Sequence, residues 1–184
     1  MNEINSTSAF IQFMTEHFGR TNKWSATYGQ EWLVTIADEV SALGSRTVVL
    51  LEILFFSSYF YIVGYQDKLR RFLIASVGGL VLLFFLKIIF SSNYSSTSLL
   101  PTDGLSFPSG HSMMAVVMYY SIFTLIFPIS IGLKGNKFIL ISVIVITIMV
   151  GLSRLIVGAH TPFEVFAGIA AGFLWTYLES KFLL

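Results

Sequence analysis

The chain has 184 residues, 55% hydrophobic and only 11% charged, and its eleven basic and ten acidic side chains nearly cancel to a net charge of +1. A mean hydropathy of +0.78, and a charged fraction far below the roughly 25% of soluble domains, exclude a soluble globular enzyme, a disordered chain and a nucleic-acid binder. The lack of cysteine excludes disulfides, thiolate nucleophiles and cysteine-ligated metals. What remains is an all-α integral membrane bundle, with enough chain for one domain of five or six spans.

In chain order, residues 1–46 stand apart from the rest. Phe10, Phe13, Met14 and Phe18 recur at helical spacing, as do Trp32, Ile36, Val40 and Leu43. The spacing predicts two amphipathic helices in the membrane interface, broken around residues 19–29 and too polar to span. Packing on the bundle as ordinary surface helices is the alternative. No compact apolar core follows a basic start, so no secretory signal is expected.

Residues 47–184 form the membrane-embedded domain, with apolar segments at 47–64, 72–90, 111–133, 138–158 and 163–179. A helix rising 1.5 Å per residue needs about 20 residues to cross the hydrocarbon layer. The first and last segments are short for that, and call for interfacial residues or a locally thin bilayer. The runs are continuous rather than alternating, which excludes a β-barrel. Glu52, inside the first segment, is expected to find a partner within the bundle.

Loop charges set the expected orientation. Lys68, Arg70 and Arg71 follow the first segment, Lys134 and Lys137 follow the third, and Lys181 follows the last. Five spans put all six bases on one side, which the positive-inside rule assigns to the cytoplasm together with the C-terminus. The amino-terminal segment falls outside, with three bases (Arg20, Lys23, Arg46) against five acids (Glu3, Glu16, Glu31, Asp38, Glu39). The loop 91–110 and the turn 159–162 share that outer side of a plasma (inner) membrane protein.

Three polar groups interrupt the apolar runs. Lys87 lies near the outer end of its segment, where it can snorkel. Phe107-Pro108-Ser109-Gly110-His111-Ser112 leads into the third segment; a helix start there is either a plain cap or an anion site. Ser153-Arg154 closes the fourth segment, with His160 and Glu164 beyond it. Arg154 can also snorkel, and Thr161-Pro162-Phe163-Glu164 reads as a capping box with proline at the first helical position. The topology places all of these at one face. Two cations, two histidines, a carboxylate and a helix N-terminus at one depth describe an anion site with acid–base capability. The same set makes a poor cation cage, so neither metal nor cofactor is expected.

These residues resemble the phosphatidic acid phosphatase type 2 family of membrane lipid phosphatases across residues 45–184. Its signature has three parts, K-x6-R-P, P-S-G-H and S-R-x5-H-x3-D. The second is intact as Pro108-Ser109-Gly110-His111, and the third is present as Ser153-Arg154, five residues, His160 and then Glu164 where Asp is usual. The first survives as Lys87 alone, since Tyr94 and Ser95 stand where Arg-Pro would be. The family often has an additional first span, replaced here by the amphipathic segment. The resemblance implies phosphoryl transfer through a phosphohistidine, with His160 the nucleophile, Glu164 orienting it and His111 moving the leaving-group proton. It further implies that Lys87, Ser109, Gly110, Ser153 and Arg154 hold the nonbridging oxygens. Tyr94 and Arg46 are the candidates to fill the missing arginine's place.

The function this implies is hydrolysis of a lipid phosphate or diphosphate monoester, such as undecaprenyl diphosphate, phosphatidylglycerophosphate, phosphatidate or a lipid A phosphate. The partners are then the bilayer and a membrane lipid phosphate. A lipid phosphotransferase using the same site, and a catalytically silent lipid-binding protein, are the competing readings.

Overall fold

The computed structural model describes residues 31–91, 107–127 and 132–183. Within them run α1 (Glu31–Ala42), α2 (Arg46–Ile62), α3 (Gln66–Ser91), α4 (Gly110–Ile126), α5 (Gly132–Ile156) and α6 (Pro162–Leu178), the last passing into a π-helical turn, Glu179–Leu183. No strand occurs among the described residues. The helical stretch expected at Phe10 to Phe18 lies outside them.

The helix ends follow from local chemistry. Ser45 caps α2, its side chain accepting from the Val48 N–H at 3.3 Å. The third apolar segment was expected to run to residue 133, but α4 ends at Ile126 because Pro128 follows. The residue before a proline is pushed out of the helical region, and Phe127 is extended at φ −91°, ψ 106°. Residues 134–137, expected in the connector, lie in α5 instead, which opens at Gly132, so Lys134 and Lys137 ride its first two turns.

α4 is the central helix. Every residue from 112 to 119 is buried, as expected of a helix that is apolar all round. Val49 and Phe60 of α2 and Phe72 of α3 pack on one side of it, against Met114, Val117, Met118 and Ile122. Ile139, Val143 and Val150 of α5 pack on the other, against Ala115 and Tyr119. α6 comes closest of all. A Cβ on Gly168 would stand 2.4 Å from the Ser109 carbonyl oxygen, so only glycine admits this backbone approach. Glu52, expected to find a partner within the bundle, lies near Tyr119, whose hydroxyl donates to the Leu43 carbonyl at 3.2 Å, and its Oε2 is buried without a hydrogen-bond partner among the described residues.

Large apolar side chains cover the outside, among them Leu54 and Phe55 of α2, Phe84 and Ile89 of α3, and Ile141 and Leu152 of α5. A soluble monomer does not carry apolar surface on this scale. α3 and α5 are each long and apolar enough to span, and α4 is a shorter apolar helix. α1 docks on α5 through buried Ala37 and Ser41. Its apolar stripe points away from the bundle, with Trp32 62% and Ile36 53% exposed.

The two ends of the bundle are closed by different residues. At one end Lys68 donates to the Leu125 carbonyl at 2.7 Å, satisfying the C-terminus of α4, and Arg71 lies near Glu179. The ends of α1, α3 and α5 and the starts of α2, α4 and α6 gather at the other.

Candidate active site

α5 stops in a Schellman turn. Gly158 sits at φ +72°, a left-handed position that costs other L-residues about 1–2 kcal/mol. Gly158 N–H donates to the Leu155 carbonyl at 3.0 Å and Ala159 N–H to that of Arg154 at 3.0 Å. His160 N–H reaches the same Arg154 carbonyl at 3.3 Å, so the turn folds His160 back over the end of α5.

The next residues begin α6. Thr161 is the N-cap and Pro162 opens the helix. The Thr161 hydroxyl accepts from Glu164 N–H at 3.3 Å, and Oε2 of Glu164 accepts from Thr161 N–H at 2.8 Å. That same Oε2 meets Nδ1 of His160 at 3.1 Å. The capping box and the histidine–carboxylate pair therefore share one oxygen. Glu164 is 1% exposed, and the box fixes the carboxylate against His160. With Nδ1–H donating to Oε2, the hydrogen-bond arrangement assigns the tautomer whose Nε2 lone pair is free.

The P-S-G-H turn is tied to the same structure. Ser109 N–H donates to the Glu164 carbonyl at 3.0 Å. The Ser109 side chain caps α4, accepting from the Ser112 hydroxyl at 3.0 Å and from Ser112 N–H at 3.5 Å. The Phe107 ring stacks on Phe163 with centroids 5.4 Å apart and meets Phe90 edge-on at 4.9 Å, joining the ends of α3 and α6. The Lys87 stem crosses the start of α4, its Cε 3.7 Å from where a Gly110 Cβ would be.

Charge converges on the two histidines. Arg154, Lys87 and Arg46 all act electrostatically on His111, as does His160. Glu164 and Arg46 act on Lys87. Arg46 reaches this cluster because the α1–α2 corner rests on α4. A Cβ on Gly44 would stand 2.5 Å from the His111 carbonyl oxygen. Burial pulls the His160 pKa below the usual histidine value, and the adjacent Glu164 only partly opposes it.

Of the residues proposed from the sequence, Lys87, Ser109, Gly110, His111, Arg154, His160 and Glu164 are brought to one end, and Arg46 joins them. Ser153 is buried, but its hydroxyl donates to the Val150 carbonyl at 2.7 Å, so its proton is directed at its own helix. Tyr94 lies outside the described residues. The sequence reading missed Gly158, whose signal was a glycine at a helix stop, and Gly168, which carries none without a partner. It also missed Ser41, which accepts from Arg154 Nη1 at 2.6 Å across a separation of 113 residues. Among the described residues, no group of three or more His, Asp or Glu side chains is arranged to hold a metal ion.

A buried histidine–carboxylate pair among cations, at one end of a helical membrane bundle, defines a membrane enzyme built to handle phosphate. The family model of the PAP2 superfamily matches residues 75–183. Phosphatidylglycerophosphatase B of Bacillus subtilis (strain 168) is 28% identical over 155 residues, 83% of this chain and 76% of that protein. The crystal structure of a transmembrane PAP2 type phosphatidylglycerolphosphate phosphatase from Bacillus subtilis superimposes with a TM-score of 0.64 at 22% identity, covering 96% of this chain and 94% of that one. Aquifex aeolicus LpxE does so with a TM-score of 0.59 at 19% identity, covering 94% of each chain. The chain belongs to the PAP2 superfamily and is a membrane phosphatase of that kind.

Proposed function

We propose that this phosphatase hydrolyses a phosphate or diphosphate monoester of a membrane lipid through a phosphohistidine on His160. The observation that carries the reading is the single Oε2 of Glu164 that caps α6 and holds His160 Nδ1 at 3.1 Å. Nε2 attacks phosphorus in line, and the bond from phosphorus to the leaving oxygen breaks. His111, protonated beside the bound phosphate, gives that oxygen its proton. Glu164 steadies the positive charge that the phosphorylated imidazole carries. Water then attacks phosphorus and passes a proton to His111, and the electron pair of the P–N bond returns to Nε2.

Lys87, Arg154, the Ser109 hydroxyl and the first-turn amides of α4 hold the nonbridging oxygens, acting as positioned positive charge. Arg46 takes the place of the arginine missing after Lys87, a role supported by its electrostatic reach to Lys87 and His111. α4 and α6 have 17 residues each, about 26 Å against a hydrocarbon core of about 30 Å. Their N-termini carry His111 and Glu164, at the end of the bundle that a lipid headgroup has to reach.

The basic end of the bundle lies in the cytoplasm and the site faces outward across the inner membrane. Similarity to phosphatidylglycerophosphatase B supports phosphatidylglycerophosphate as the first lipid to assay, with undecaprenyl diphosphate, phosphatidate and lipid A phosphate beside it. A phosphate-release panel over these lipids tests the reading. His160→Ala and His111→Ala should each abolish release while the protein still inserts; near wild-type turnover in either would overturn the mechanism.

A further inference from the structure

α1 lies outside residues 75–183, where the family model matches, yet it touches the phosphate cluster. Its inward side is narrow and small, with Ala37 4% and Ser41 2% exposed. Ser41 Oγ accepts from Arg154 Nη1 at 2.6 Å. Asp38, one turn earlier, adds a carboxylate whose charge acts on the same guanidinium.

A guanidinium is a planar fork whose Nε and one terminal nitrogen form an edge that matches two phosphate oxygens. Arg154 Nε is buried and has no hydrogen-bond partner among the described residues. A buried donor left unpaired is unfavourable, and this one lies in the cluster that acts on both histidines.

We infer that Ser41 is a positioning residue of the phosphate clamp, holding Arg154 by Nη1 so that its Nε–Nη2 edge is presented to the substrate phosphate. The inference rests on the phosphatase reading above. It makes α1 part of the site, and it accounts for a helix that turns its small residues inward while Trp32 and Ile36 face out.

The test uses the purified full-length protein in detergent micelles, with Ser41→Ala and Ser41→Thr beside the wild type. Three quantities are read: the affinity for inorganic phosphate from thermal protection, kcat and KM for lipid phosphate, and the unliganded melting temperature. Ser41→Ala should weaken phosphate binding and lower kcat/KM by about tenfold, the loss of one hydrogen bond to a charged group. Ser41→Thr, which keeps the hydroxyl, should restore both to within about twofold of wild type. In an Arg154→Lys background, which lacks the fork, Ser41→Ala should add no further loss of phosphate affinity.

Unchanged phosphate affinity in Ser41→Ala, with or without a lower melting temperature, overturns the inference while leaving the phosphatase intact. So does a wild type that binds no phosphate. Phosphate binding that depends on Ser41, in a protein that releases phosphate from none of the lipids, sustains the clamp and overturns the phosphatase reading instead.

Discussion

Replacing Glu164 by glutamine separates the two jobs of its carboxylate. A capping box accepts Glu or Gln alike, so the amide oxygen of Glu164→Gln can still take the Thr161 N–H now bound at 2.8 Å. The negative charge beside Nδ1 of His160 is what disappears. Hydrogen bonds to charged groups contribute about 1.5–3 kcal/mol, and each 1.36 kcal/mol is about tenfold in rate. The expected loss in kcat is therefore about a hundredfold, with the melting temperature almost unmoved. Glu164→Ala removes both jobs and leaves two N–H donors unpaired at a side chain only 1% exposed. At about 1–3 kcal/mol for each donor, its melting temperature should fall by roughly 4 °C or more. Phosphate release and thermal denaturation in detergent, measured on both variants, check this. Near wild-type kcat in Glu164→Gln would reduce the residue to a helix cap and refute the reasoning.

Two further outcomes follow from the electrostatics. Burial holds His160 below the usual histidine pKa of about 6.5, and its neutral form is the nucleophile. The acid limb of kcat/KM should therefore lie below pH ~6.5, and it should move lower still in Glu164→Gln, since Glu164 is what raises the pKa. The stability contribution has the same sign: it is complete above pH ~6.5 and declines as pH falls through the folded-state value. Arg46→Ala should raise KM about tenfold with a smaller change in kcat, and Arg46→Lys should retain most of the binding; a kinetic profile identical to wild type would remove Arg46 from the site.

Much of this arrangement was legible in the sequence because a membrane protein has few charges to misplace. Continuous apolar runs located α2, α3, α5 and α6, and alternating direction put Lys87, His111, Arg154 and His160 at one end. The apolar run into residue 133 concealed the end of α4, although Pro128 carries the signal. The spacing of His160 and Glu164 showed that they could meet. It could not show that one oxygen serves both the histidine and the helix cap, which depends on the Gly158 turn and the side-chain rotamer. Ser153 was read as a phosphate ligand, whereas a buried helical serine commonly donates to its own helix, as this one does to Val150. Ser41 gave no local signal, because its meaning lies in a helix more than a hundred residues away.

The central claim is that phosphate passes through His160. Rapid acid-free quenching of the enzyme with a radiolabelled lipid phosphate should trap a covalent phosphoprotein that is acid-labile and stable to base, maps to His160, and is missing in His160→Ala. Its amount should rise when His111 is replaced by a residue that slows attack by water more than formation of the intermediate. Hydrolysis of a lipid phosphorothioate made chiral at phosphorus with oxygen isotopes, carried out in water of the third isotope, with inversion at phosphorus and with no radiolabel on His160 at any quench time, would mean direct hydrolysis and would contradict the account.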